Sequence, residues 1–165
     1  MLFRARPSHF LRTEPVLPLD PDPGAPRLII PALAPLYRAL GGLAWPLIRI
    51  VAGLNLVPFG WHKLTGPLFD ADVQLFHQLG FEPAVPLAWF VTGLEFIGGF
   101  MLAAGLLTRP IALMIAVEML VIAFAVDIPR GRGYQLTLLW SAIAFAISWR
   151  GGGRFSLDRW IGREF

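Results

Sequence analysis

Four long apolar runs dominate the chain, at residues 43–61, 86–107, 110–126 and 134–149. Each approaches the ~17–25 residues that a helix needs to cross ~30 Å of hydrocarbon. The last has sixteen residues and must stand nearly upright or recruit its neighbours. A solvated helix carries a polar stripe at helical spacing, whereas Glu118 is the only polar member of residues 111–126. The pattern predicts an all-α fold, a bundle of four transmembrane helices. The connection at residues 60–85 is long enough for a short interfacial helix over residues 69–80. Residues 43–165 read as one membrane domain with a C-terminal tail.

Residues 1–42 form a different zone. They hold eight of the fifteen prolines (Pro7, Pro15, Pro18, Pro21, Pro23, Pro26, Pro31 and Pro35), and Pro-rich polar segments do not pack a core. They read as a cytoplasmic arm with an interfacial turn at residues 35–40, either a disordered tail or a docking arm for a partner subunit. No apolar segment of secretory type follows Arg4 and Arg6.

Three ionisable side chains interrupt the apolar runs: Arg49, Glu95 and Glu118. Charges at bilayer depth are costly and commonly face a bundle interior where function resides. Arg49, Gly53, Leu56 and Gly60 recur on one face of the first run, and Glu95, Gly98, Gly99, Leu102 and Gly105 on one face of the second. Small residues let helices approach closely in lipid, so these faces should meet and turn the charges inward. Counting from the cytoplasmic ends at ~1.5 Å per residue, Arg49 lies ~9 Å deep, Glu118 ~12 Å and Glu95 ~18 Å. The expectation is that Arg49 pairs with Glu95, Glu118 or both. One arginine cannot neutralise two ionised acids in a dry interior. The acids should divide into an ionised partner and a protonated one able to exchange a proton beside a quinone or another redox ligand. The competing reading is an internal clamp that fixes helix packing.

Composition narrows the function. The chain is 56% hydrophobic and 15% charged, with a net charge of +3 and no cysteine. It therefore has no disulfide, thiol redox centre or sulfur-ligated metal site of its own. The positive charge sits at helix ends, which speaks for topology rather than nucleic acid. Arg4, Arg6, Arg12, Arg27, Arg38, Arg109, Arg150, Arg154, Arg159 and Arg163 fall on one side, against Lys63, Arg130 and Arg132 on the other. By the positive-inside rule both termini are cytoplasmic and the 60–85 connection lies outside. Trp61, Trp89, Tyr134 and Trp149 lie near the proposed membrane boundaries, as interfacial aromatics do. His62, His77 and Asp72 share the outer connection, but nothing in their spacing is specific to a metal. Gly151, Gly152 and Gly153 should end the fourth helix. Ser156 or Asp158 should then cap a short interfacial helix, with Trp160 in the interface and Arg159 and Arg163 toward lipid phosphates.

These residues also form a familiar series. Arg49-Ile-Val-Ala-Gly53 with Phe59-Gly-Trp-His-Lys-Leu64-Thr-Gly66 resembles the first helix of the DoxX family. Glu95-Phe-Ile-Gly-Gly99 with Gly105-Leu-Leu-Thr-Arg-Pro110 resembles its second helix and cytoplasmic turn, and Glu118-Met-Leu-Val its third. Gly151-Gly-Gly-Arg-Phe-Ser-Leu-Asp158 is similar to its glycine-rich close, so the resemblance spans residues 43–162. It implies a multi-pass protein of the bacterial cytoplasmic (inner) membrane associated with respiratory or sulfur-linked electron transfer. Some relatives belong to thiosulfate:quinone oxidoreductases. Gln135 stands where family members often carry an acid, which weakens a proton-coupled role.

Two functions follow. One is a non-catalytic accessory subunit of a larger respiratory or other energy-transducing complex, docking through its apolar faces and its arm. The other is a redox-associated subunit holding a quinone near Arg49, Glu95, Glu118, Gln135 and His62. The sequence carries no haem, flavin, iron–sulfur or cysteine signature of a self-sufficient enzyme. With Gln135, that tips the balance toward the accessory role, with bound lipid and other membrane subunits as partners.

Overall fold

The structure is a computed structural model that describes residues 29–162. The chain divides into two units, residues 1–36 and 37–165. In the first, the described residues form a 3-10 turn, Pro31–Leu33, and the start of helix α1. The prolines before Pro31, and with them most of the proposed arm, lie outside the described residues.

The described residues are all-α. Helix α1 is Ala34–Thr65, α2 is Leu68–Leu79, α3 is Ala84–Ala104, α4 is Thr108–Asp127, α5 is Gln135–Arg150 and α6 is Leu157–Ile161. Three of these, α1, α3 and α4, are long and apolar enough to cross a membrane. Helix α5, with 16 residues, falls short of that length. The proposed turn at residues 35–40 is instead helical, because α1 begins at Ala34. Pro35 falls in the first turn, where its missing N–H goes unneeded and its fixed φ suits the helix. With 32 residues, α1 is ~48 Å long, so it outruns the ~30 Å hydrocarbon core and continues past Trp61 through His62 and Lys63.

Close backbone approach joins α1 to α3. A Cβ on Gly53 would sit 2.5 Å from the Gly99 carbonyl oxygen and 2.5 Å from the Ala103 nitrogen. The two small-residue faces expected to meet do meet, and only glycine permits it at this spacing. Helices α4 and α5 run antiparallel, with Ser141 Oγ donating to the Ala116 carbonyl at 2.9 Å and Thr137 Oγ1 to Asp127 Oδ2 at 2.7 Å. Leu56, Leu94, Leu102, Ile115 and Ile147 fill the core between the helices. The outer face stays apolar, with Leu47, Val51, Ile97, Phe100 and Phe124 all exposed. Exposed apolar area on this scale is what lipid covers.

Both α3 and α4 contain a π-helical turn, Leu94–Gly98 and Ile122–Asp127 respectively. Such insertions interrupt the regular i→i+4 ladder and occur often at functional sites. Glu95 lies within the first, and Glu118 one turn before the second. Helix α2 folds over this region, with Phe69 against Trp89 of α3 at a ring-centroid distance of 4.6 Å.

Candidate functional site

Lys63 organises a cluster of acids. It stands on the last turn of α1, continuing the face of Gly53, Leu56 and Gly60, and its side chain is only 12% exposed. Its Nζ lies 2.8 Å and 2.7 Å from the two carboxylate oxygens of Glu95 on α3. Asp72 Oδ2 on α2 is 2.8 Å away on another side. Three carboxylate oxygens thus surround a group with three donors.

Glu118 on α4 completes the cluster. It is 9% exposed, and neither of its oxygens accepts a hydrogen bond from a donor among the described residues. Glu95 on α3 is an acid in its electrostatic neighbourhood. One ammonium thus pairs with two acids, while the third, Glu118, is reached by no donor among the described residues.

A cavity of about 720 Å³ ends on these residues, with Lys63, Asp72 and Glu118 in its wall. The rest of the lining is mainly aliphatic and aromatic, supplied by α2, α3 and α4. Phe90, Leu113, Val117 and Val121 line the cavity and are also exposed on the outer face, so it opens between α3 and α4 toward lipid. The volume falls within the ~300–1,000 Å³ of small-molecule sites, which characteristically combine apolar walls with a few placed polar groups.

The other end of the bundle is built differently. Arg49 is 1% exposed, and its Nη1 and Nη2 donate to the carbonyls of Gly152 and Phe155, each at 2.8 Å. Trp45 Nε1 donates to the Gly151 carbonyl at 3.0 Å. Asp158 accepts from the backbone N–H groups of Leu107 and Thr108 at 2.8 and 2.9 Å, and from Thr108 Oγ1 at 2.8 Å. It thereby caps α4 from fifty residues away, satisfying orphan donors at a helix start. Gly105 takes φ +77°, and a Cβ there would strike Arg49 Nη1. Ser156, not Asp158, caps α6, accepting from the Arg159 N–H. The result is a clasp between the C-terminal segment, the middle of α1 and the facing ends of α3 and α4.

The expected Arg49 pairing is therefore corrected. Arg49 makes no ion pair with Glu95 or Glu118; backbone carbonyls of the C-terminal segment take its donors, and Lys63 takes Glu95. The two cations are 14 positions apart on α1, ~21 Å along its axis. Arg49 belongs to the clasp, whereas Glu95 and Glu118 come together at the cavity. His62 is exposed, its Nδ1 2.6 Å from the Pro58 carbonyl, and Gln135 begins α5, exposed. Neither lines the cavity. His77 pairs with Glu82 across the α2–α3 connection, so His62, His77 and Asp72 each have a separate partner. Sequence reasoning missed Lys63 and Asp72. The signal for Lys63 was available, since it continues the Gly53–Leu56–Gly60 face by one further turn.

Among known proteins, the family model DoxX matches residues 44–128, just over half of the chain. No curated protein and no solved structure matches. The matched region holds Arg49, Lys63, Asp72, Glu95 and Glu118, while α5 and the glycine-rich close lie beyond it. With its apolar spans and lipid-facing exterior, this is an integral membrane protein, and it belongs to the DoxX family.

Proposed function

We propose that this protein is a subunit of a larger respiratory or other energy-transducing complex in the bacterial cytoplasmic membrane, and that its cavity binds a lipid-soluble redox carrier of the quinone class. One observation carries this reading: an apolar cavity open toward lipid ends on a buried carboxyl, Glu118, that no donor among the described residues satisfies. Unpartnered buried polar groups are rare and costly unless something else completes them. A long-tailed carrier with a polar ring suits both halves of such a site. Native purification in mild detergent, followed by mass spectrometry of co-purifying lipids, tests it. Wild-type protein should retain quinone-class lipid and a cavity-filling Val117→Trp variant should lose it; retention unchanged by that variant would defeat the assignment.

Four crossings and cytoplasmic termini complete the proposal. Helix α5 lies antiparallel along α4 and would cross with it. Arg109, Arg150, Arg154 and Arg159 gather toward the clasp end, while Arg130 and Arg132 remain at the other, with Lys63 withdrawn into ion pairs. That distribution supports a cytoplasmic clasp. A cysteine at the exposed Asp70 should react with an impermeant thiol reagent in intact cells, and one at Arg154 should not. The reverse pattern would invert the topology.

The purely accessory, non-catalytic role rests on the exposed apolar faces, which lipid covers equally well. Deleting residues 1–26 discriminates: loss of association with partner subunits, with quinone retention intact, would favour docking through the arm.

A further inference from the structure

One polar side chain interrupts the lipid-facing surface. In the apolar runs that form α1, α3 and α4, Arg49, Thr92, Glu95 and Glu118 are all buried, whereas Asn55 is exposed. Its Nδ2 donates to the Val51 carbonyl one turn back at 2.9 Å. That spends one of its two N–H groups; the second N–H and the Oδ1 acceptor have no partner among the described residues. Three positions on, Pro58 lies inside α1 and is exposed as well. Having no N–H, it leaves the Leu54 carbonyl without its regular helical donor. Water would satisfy such groups on a soluble protein, but lipid tails cannot. We infer that this face of α1 pairs with the same face of a second copy of the chain, the two Asn55 carboxamides hydrogen-bonded to each other.

The residues around Asn55 have the spacing that such a contact needs. Gly41, Ala44, Ile48, Val51, Asn55 and Pro58 follow one another at alternating steps of three and four, and all six are exposed. That is the seam of two helices crossing at a shallow left-handed angle. A Cβ on Gly41 would meet nothing within 4 Å, so no part of the described chain covers that end. Small residues there permit close approach, Ile48 and Val51 supply β-branched packing, and one asparagine in a seam fixes register and the number of strands. The partner follows from the group itself. A carboxamide both donates and accepts, so two of them related by a two-fold axis exchange hydrogen bonds. Copies in one membrane share a topology, which sets both Asn55 side chains at the same depth. None of the six seam residues lines the cavity, and the pairing stands independently of the quinone-class reading.

The chain has no cysteine, so single introduced cysteines report the contact directly. Full-length Val51→Cys, oxidised with copper phenanthroline in the membranes that express it, should give a disulfide-linked dimer. Ile97→Cys and Phe124→Cys, at positions at least as exposed, should remain monomeric. Association is then measured in liposomes by energy transfer between copies labelled at the amino terminus, as the protein is diluted in lipid. Asn55→Leu should weaken it roughly three- to thirtyfold, the range for one interhelical hydrogen bond. Asn55→Gln keeps the carboxamide and should recover part of the loss. The thermal midpoint should stay near wild type in both, since the one hydrogen bond of Asn55 is to its own helix. A wild type that is monomeric at every dilution overturns the inference, as does linkage through Ile97 or Phe124 in place of Val51. Undiminished association of Asn55→Leu overturns the carboxamide pairing. Linkage of Val51→Cys to a different protein in place of itself overturns the second copy in favour of a heterologous subunit. Should Asn55→Leu fail to fold, the cysteine pattern decides alone.

Discussion

The two ends of this bundle begin with similar material and finish differently. At the clasp, a buried arginine, a buried aspartate and three glycines close on one another. Arg49 spends both terminal nitrogens on carbonyls, leaving only its Nε without a partner, and Asp158 accepts three hydrogen bonds. At the cavity, one lysine pairs with two acids and a third, Glu118, is reached by no donor among the described residues. Buried ionisable groups in membranes mark function only as a first guess. What separates structure from function here is whether the protein itself satisfies the group.

That contrast predicts a ranked series of effects. Arg49→Ala should be the most damaging, because it strands two buried carbonyls and removes two charge-assisted hydrogen bonds. A loss of about 3 kcal/mol is expected, read as a lower thermal midpoint in detergent. Arg49→Lys should recover only part, since an ammonium cannot reproduce the fork reaching two carbonyls. Wild-type stability in Arg49→Ala would show that the clasp contributes little.

Lys63→Met comes next. It leaves Glu95 and Asp72 without their cation, and uncompensated buried charge is strongly destabilising. Asp72 is partly open to water, which softens the cost to about 2 kcal/mol. Pairing the change with Glu95→Gln should restore much of the midpoint in a double-mutant cycle; strictly additive losses would break the proposed pairing.

Glu118→Gln should barely alter stability, by less than about 1 kcal/mol, because none of the described residues donates to it. It should nevertheless change ligand binding. A stability loss matching that of Arg49→Ala would erase the distinction between the two ends.

The smallest effect belongs to the α2–α3 connection. Glu82 is held below the ordinary carboxylate range by its hydrogen bond with His77 and by the Ala84 N–H, which donates to it at 3.0 Å. A carboxyl with a lowered folded value stabilises above its unfolded value and loses that contribution as pH falls through the folded one. Protection of the Ala84 amide against hydrogen exchange should therefore decline slightly below about pH 4.3. Protection that is flat or rises on acidification would contradict the pairing.

Much of this architecture was legible in the chain. The Gly53 and Gly99 faces announced the α1–α3 contact because helical periodicity is local. The helix over residues 69–80 was legible for the same reason, as was a cap at Ser156 or Asp158, of which the structure uses Ser156. Arg49 was misassigned because its partners, Gly152 and Phe155, lie over a hundred positions away and are backbone carbonyls, which carry no side-chain signature. Lys63 was missed by ending the first helix at Trp61; the tryptophan marked an interface, but the helix continues past it. The cavity was invisible because it depends on how α2 settles over α3 and α4, a consequence of tertiary packing rather than of any one segment's pattern.

The central claim is that the open carboxyl marks the ligand site and the satisfied arginine does not. Photolabelling with an azido-quinone, followed by peptide mapping, tests it most directly. Label should appear on the α4 segment around Leu113, Val117 and Val121 and on α2 or α3 around Phe76 and Phe90. It should be absent from the Gly151–Ser156 segment and diminished in Val117→Trp. Label concentrated at the clasp, or spread evenly over the lipid-facing surface, would contradict the account.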